Sequence, residues 1–300
     1  MQPTWKGVMP ALTTPFTESM ELDVPFIEKH CRWFIEHGAT ALVPGGSLGE
    51  GTTLSLDEKV QLFEACVRAG EGKVPVVPGI ASLSTAEAVA LARAAERVGC
   101  GGLMVLPPYV YQGDWRETRA HFEAVIQATD LPCMLYNNPI AYGTDVSPEQ
   151  IAQMAEAHPN LKAVKESSGN IRRITAIHAL LGDRLSISVG LDDIVVEGVQ
   201  AGAVGWVAGL VNALPLESQQ LFDFALEGKT KEAQAMYAWF LPLLRLDTDP
   251  KFVQYIKLVQ QELDWGHERV RAPRRVLIGE ERSRVLALIR TSLQARSVLS

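Results

Sequence analysis

Short apolar runs alternate along most of the chain with longer stretches whose apolar positions recur at helical spacing. The runs fall at residues 7–12, 41–43, 74–77, 102–106, 133–136, 161–165, 185–189 and 203–207. Between them lie helical signals. Over 23–37, Phe26, Ile27, Cys31, Phe34 and Ile35 form one stripe, and Gly38 stops it. Ser55 and Glu58 make a capping box for a helix reaching residue 69. Ser84 caps a helix that Gly99 ends, another begins near Asp114, and Ser147-Pro148 sets a cap followed by proline at the first helical position. Further helices are expected from the turn after residue 165 to residue 181, and over 192–201.

Strand–helix units repeating every roughly 25 to 30 residues predict an α/β fold, a (β/α)8 TIM barrel, rather than an open doubly wound sheet. No reversal point in the alternation favours the open form. Beyond about residue 225 the alternation stops, and 231–246, 252–263 and 280–295 read as helices. The expected organisation is therefore a barrel over 1–225 and a C-terminal helical extension over 226–300.

Composition narrows the function. A chain of 300 residues with 47% hydrophobic and 21% charged residues suits a large core. Its 28 basic and 35 acidic residues give a net charge of −7, and without a basic run nucleic acid and anionic membranes are poor partners. Cys31, Cys66, Cys100 and Cys133 form no C-x-x-C pair, which argues against a zinc ribbon or a thioredoxin-type motif. The first fifteen residues lack a signal-peptide pattern, and no run approaches a membrane span. A cytoplasmic protein is expected.

The stretch Leu161-Lys162-Ala163-Val164-Lys165-Glu166-Ser167-Ser168-Gly169-Asn170 carries the candidate chemistry. Alternation places Leu161, Ala163 and Lys165 on one face and Lys162, Val164 and Glu166 on the other. Lys165 then ends an apolar wall, where desolvation disfavours the ammonium form. A neutral amine there can attack a carbonyl carbon; a solvated lysine at a strand end is the plain alternative. In barrels the active site forms at the carboxyl ends of the strands. Tyr136 ends the preceding strand, shares a face with Met134, and would stand beside Lys165 if strands about 4.8 Å apart carry both inward. A tyrosine so placed can move protons.

Other motifs weigh less. The turn over 45–51, Gly-Gly-Ser-Leu-Gly-Glu-Gly, lacks the G-K-[ST] ending of a phosphate loop, although its N–H groups could still form a nest for a carboxylate. Asp192 sits where a helix N-cap is needed, and we read it as that cap rather than as a magnesium ligand. The histidines at 30, 37, 121, 158, 178 and 267 show no metal-ligand spacing. Tyr237, Trp239 and Phe240 read as packing. No cofactor or metal is expected.

Four segments, in their order and on consecutive strand–helix units, resemble the dihydrodipicolinate synthase / N-acetylneuraminate lyase family: Gly46-Ser47-Leu48-Gly49-Glu50, Tyr136-Asn137-Asn138-Pro139, Val164-Lys165-Glu166-Ser167-Ser168-Gly169-Asn170 and Gly190-Leu191-Asp192-Asp193. The resemblance implies a barrel with a helical extension, a homotetramer built as a dimer of dimers, and a small 2-oxo acid or imino acid bound as a Schiff base. It implies Lys165 as the imine-forming residue and Tyr136 as the proton carrier. Gly46, Ser47, Leu48, Gly190 and Val207 would contact the substrate. Tyr109 falls where synthases place a tyrosine contributed across a subunit interface, completing a relay of Tyr136, Ser47 and Tyr109.

Two departures bear on the substrate. Synthases accepting aspartate semialdehyde carry arginine two residues after the proline of Y-N-x-P, where this chain has Ala141, and Leu48 replaces the usual second threonine of G-T-T-G-E. A second substrate carboxylate would lack its bidentate partner. The segments 205–212 and 246–251 look like those of members associated with hydroxyproline breakdown. The expected activity is that of a Δ1-pyrroline-4-hydroxy-2-carboxylate deaminase. A pyruvate-dependent aldolase or synthase is the alternative, and a silent 2-oxo acid binding protein the alternative of another class.

Overall fold

The computed structural model describes residues 1–296. Their parallel sheet contains β1 (Gly7–Pro10), β2 (Gly79–Ile80), β3 (Leu103–Val105), β4 (Cys133–Asn137), β5 (Leu161–Glu166), β6 (Ser186–Val189) and β7 (Gly205–Ala208), in the order β1-β7-β6-β5-β4-β3-β2. Residues 41–43 close the ring between β1 and β2. Ala11 bridges Val43 and Leu42 bridges Val76, both parallel, and Val43 N–H donates to Pro10 O at 3.0 Å while Val77 N–H donates to Leu42 O at 2.7 Å. The barrel is therefore closed, as the alternation predicts, and the open sheet is excluded. The third expected strand, 74–77, reduces to such single bridges, and the regular ladder starts at Gly79. Pro75 and Pro78 have no N–H to donate, which breaks the ladder there.

The helices on the outside are α1 (Val24–Glu36), α2 (Leu56–Gly70), α3 (Thr85–Arg97), α4 (Trp115–Ile126), α6 (Pro148–Ala157), α7 (Arg172–Leu181), α8 (Val195–Gln200) and α9 (Pro215–Leu226), while the single turn α5 (Pro139–Tyr142) follows β4 and borders the cavity. The Ser55–Glu58 capping box, the Ser84 cap and the Ser147 cap form as expected, and Asp114 adds a capping box with Glu117. Gly38 takes φ +88° just past α1. The chain continues as α10 (Thr230–Leu244), α11 (Phe252–Glu262) and α12 (Gly279–Arg296).

Two apolar layers result. The larger lies between strands and helices and includes Phe34, Leu62, Phe63, Phe122, Trp206 and Phe222. The smaller fills the barrel interior with Met9, Val43, Val77, Met104, Met134, Tyr136, Ala163 and Val207. Leu161 belongs to the outer layer, against the expectation that it shares a face with Ala163 and Lys165. The pairing steps from Cys133↔Leu161 to Met134↔Ala163, so exposed Lys162 is an extra residue in β5. Such a bulge turns the residue before it to the other face and leaves those after it in alternation.

Candidate active site

β4 and β5 run side by side with Tyr136 paired to Lys165. Both are buried, 4% and 6% exposed, and the Lys165 ammonium nitrogen lies 4.3 Å from the centre of the Tyr136 ring. No hydrogen bond or ion pair holds that nitrogen among the described residues. The next residue is anchored firmly. Glu166 accepts from Ser168 N–H at 2.7 Å, from Asn137 Nδ2 at 3.2 Å and from Arg173 Nε at 3.4 Å, which fixes the strand end carrying Lys165. Gly190 leaves the lysine its path: a Cβ there would overlap Ser167 Oγ and stand 2.5 Å from Lys165 Cε.

These side chains open on a cavity of about 400 Å3 whose wall includes Gly46, Ser47, Leu48, Tyr136, Lys165, Gly190 and Val207. Every sequence-derived site residue except Tyr109 is in that wall. Ala141 lines it too, as do Asp247, Thr248 and Asp249 from the segment after α10. The N–H groups of Ser47 and Leu48 take no protein acceptor among the described residues and remain available to an anion.

The hydroxyl cluster differs from the expected relay. Ser47 Oγ is hydrogen-bonded to the hydroxyl of Tyr142, a residue the sequence reading passed over. Tyr142 stands between two other tyrosines, meeting Tyr109 edge-on at 5.2 Å and Tyr136 at 5.8 Å between ring centres. Tyr109 joins the same cluster through Tyr142 and Ser47, and burial pushes its hydroxyl up to about 12. Burial, Tyr109 and Tyr136 raise Tyr142 as well. The Tyr136 hydroxyl accepts from Asn138 Nδ2 at 2.9 Å. Tyr142 is carried by α5, which Asn138 caps by accepting from Ala141 N–H at 3.0 Å. Asn138-Pro139 has the same cap-then-proline signature as Ser147-Pro148 and could have revealed this turn.

Asp192 corrects another expectation. It makes no helix cap; fully buried, it accepts from Trp206 Nε1 at 3.0 Å, Gly209 N–H at 3.1 Å and Leu210 N–H at 2.7 Å. Burial pushes it up to about 6 against the pull of those donors. The cap reading failed because a three-residue 3-10 turn (Asp192–Ile194) precedes α8, so Asp192 points into the barrel end rather than along a helix start. No group of three or more potential metal ligands occurs among the described residues.

A closed barrel with a lysine and a tyrosine adjoining at the carboxyl ends of neighbouring strands, above one cavity, is the architecture of the Schiff-base-forming lyases. The Dihydrodipicolinate synthetase family model matches residues 4–292, and the chain belongs to that family. It is 34% identical over 288 residues to the 4-hydroxy-tetrahydrodipicolinate synthase of Roseobacter denitrificans, covering 95% of this chain and 98% of that one. It is 34% identical over 240 residues to the Rhizobium meliloti synthase, covering 80% and 81%. The solved 4-hydroxy-tetrahydrodipicolinate synthase of Methylacidiphilum fumariolicum SolV superposes with a TM-score of 0.91 at 28% identity, over 98% of this chain and 99% of that one. The protein is accordingly a lyase of this family acting on a small molecule. Among the described residues no helix is long and apolar enough to cross a membrane.

Proposed function

We propose that Lys165 forms the imine and that the substrate is Δ1-pyrroline-4-hydroxy-2-carboxylate, released as ammonia and 2,5-dioxopentanoate. One observation carries the substrate choice: the position that would hold a second carboxylate is Ala141, and it lines the same cavity as Lys165. The cyclic imine needs one carboxylate site, supplied by the Ser47 and Leu48 N–H groups and the Ser47 hydroxyl. Lys165 attacks the C=N carbon and the ring opens to an enzyme-bound imine. Tyr136, oriented by Asn138, takes a proton from the neighbouring carbon, and the enamine expels the 4-hydroxyl. Gly46, Gly190 and Val207 shape the wall, and Tyr109 with Tyr142 extends the hydroxyl chain from Ser47.

The relatives' names, 4-hydroxy-tetrahydrodipicolinate synthase, favour a second reading, a synthase, for which the condensation of pyruvate with aspartate semialdehyde is the assay. Ammonia release from the hydroxypyrroline carboxylate, assayed beside that condensation, separates the two. Efficient condensation with no ammonia would overturn the deaminase reading, and inertness toward every 2-oxo and imino acid would support a silent binding protein. We also propose a cytoplasmic homotetramer, supported by four unpaired buried cysteines and by the exposed apolar pair Val110 and Tyr111 beside the cavity loops. Sedimentation of the purified enzyme tests the assembly.

A further inference from the structure

Asp247 closes the 3-10 turn (Arg245–Asp247) that follows α10 and faces the cavity that holds Lys165. The backbone makes room for it: a Cβ on Gly209, just past β7, would overlap Asp247 Oδ1 and stand 2.5 Å from its Cγ. Its carboxyl group takes no hydrogen bond and no ion pair from the described residues. Asp192 packs nearby and has three donors of its own. Two adjacent carboxyl groups, Asp192 fully buried and Asp247 partly buried in the cavity wall, resist being ionised together. The one with donors keeps the charge more readily, and the one without takes the proton. Burial and the charge of Asp192 accordingly raise Asp247 well above the usual carboxylate range, with Lys165 opposing. The cavity thus contains an acid able to donate, in the same wall as Tyr136 and Lys165.

We propose that Asp247 is the general acid that protonates the 4-hydroxyl as it leaves. This rests on the deaminase reading above. Hydroxide is a poor leaving group, and a positioned acid changes the departing species to water. In the step, the enamine nitrogen of Lys165 supplies its electron pair, the C2=C3 bond shifts to C3=C4, and the C4–O bond breaks with its pair on oxygen. The Asp247 proton goes to that oxygen and water departs. The product is a conjugated iminium on Lys165 facing the new Asp247 carboxylate, which a solvent proton restores. Tautomerisation then carries one proton from C5 and one from its nitrogen to C4 and C3, which makes C5 an imine. Hydrolysis of the C5 imine releases ammonia, and hydrolysis of the C2 imine releases the dioxo acid from Lys165. With one water lost and two taken up, one water is consumed overall.

The test uses the full-length enzyme and Asp247→Asn, which preserves size but cannot give up a proton in this role. Ammonia release from the 4-hydroxy substrate should fall about 10²–10⁴-fold. Borohydride trapping of pyruvate on Lys165 should remain at the wild-type level, which also reports an intact fold. The decisive probe is the 4-fluoro analogue, whose fluoride needs no acid: the variant should process it within a few-fold of wild type. Asp247→Ala should behave the same way and replaces the asparagine variant if that one does not fold. Equal losses on the hydroxy and fluoro substrates, or wild-type ammonia release by the variant, would overturn this inference alone. A wild-type enzyme that traps pyruvate but releases no ammonia would overturn the deaminase reading and this inference with it.

Discussion

Lys165 and Lys257 are both buried, 6% and 1% exposed, and they differ in what their amines touch. Lys257, on α11, has every donor engaged. It meets Glu50 at 2.5 Å and donates to Thr14 O and Arg269 O at 2.7 Å each. Glu50 is fully buried and also accepts from Arg271 N–H at 2.9 Å. This cluster ties the Gly46–Glu50 turn to the C-terminal helices, so this cavity-lining turn is braced from outside the barrel. Burial lowers Lys257 to about 8 even so, with Glu50 holding it up. Lys165 has no such partner and faces a cavity beside Tyr136. Under the proposed chemistry, similar burial gives a bolt in one place and a nucleophile in the other, according to whether the amine's hydrogens are already claimed.

The contrast breaks first at Lys165. Lys165→Arg keeps the charge and removes the nucleophile, so turnover should drop below detection while the thermal midpoint stays near wild type. Turnover surviving in this variant would remove Lys165 from the chemistry. Tyr136→Phe comes next, with turnover reduced about 10²–10⁴-fold and the fold retained. Near-normal turnover on the true substrate would exclude the hydroxyl from proton transfer.

The adjacency of the two residues was legible in the sequence for a physical reason: strand alternation and the rule about carboxyl ends place them side by side at the ends of neighbouring strands. Leu161 was misplaced because one bulged residue, Lys162, leaves no mark in an apolar run. Tyr142 was passed over because its helix is a single turn, too short for periodicity to register. Asp192 and Asp247 were opaque for a deeper reason. Their environment is made by Trp206, Gly209 and each other, groups brought together only by closing the ring and folding the C-terminal segment over it.

Lys257→Met sharpens the comparison from the structural side. It strands Glu50 without its partner, and breaking a buried pair costs about 3–5 kcal/mol. Urea unfolding should show that loss, and adding Glu50→Gln should recover part of it. The variant's folded fraction should still trap pyruvate on Lys165. An unchanged urea midpoint would mean that the cluster braces nothing.

The smallest effect concerns a third way to bury a titratable group, which is to keep it neutral. His30 packs among Phe26, Trp33, Phe34 and Trp265, with Nε2 at 2.9 Å from Asn212 O, and burial lowers it from 6.5 to about 3. Between those values the unfolded chain takes up a proton that the folded one refuses. The stability from His30 is thus complete above 6.5 and declines as pH falls toward 3. Urea midpoints for wild type and His30→Gln, compared at about pH 7 and at about pH 4.5, should show the steeper acid loss in wild type. Equal losses would mean that His30 is charged inside the fold.

On the proposed chemistry, an unclaimed buried amine, and not burial itself, makes the nucleophile. Reduction with borohydride in the presence of pyruvate, followed by peptide mapping, tests it in one experiment on both lysines. The expected result is a mass addition on the peptide carrying Lys165 and none on the peptide carrying Lys257. Label at Lys257 or at a surface lysine with Lys165 unmodified, or no label with any 2-oxo acid, would contradict the account.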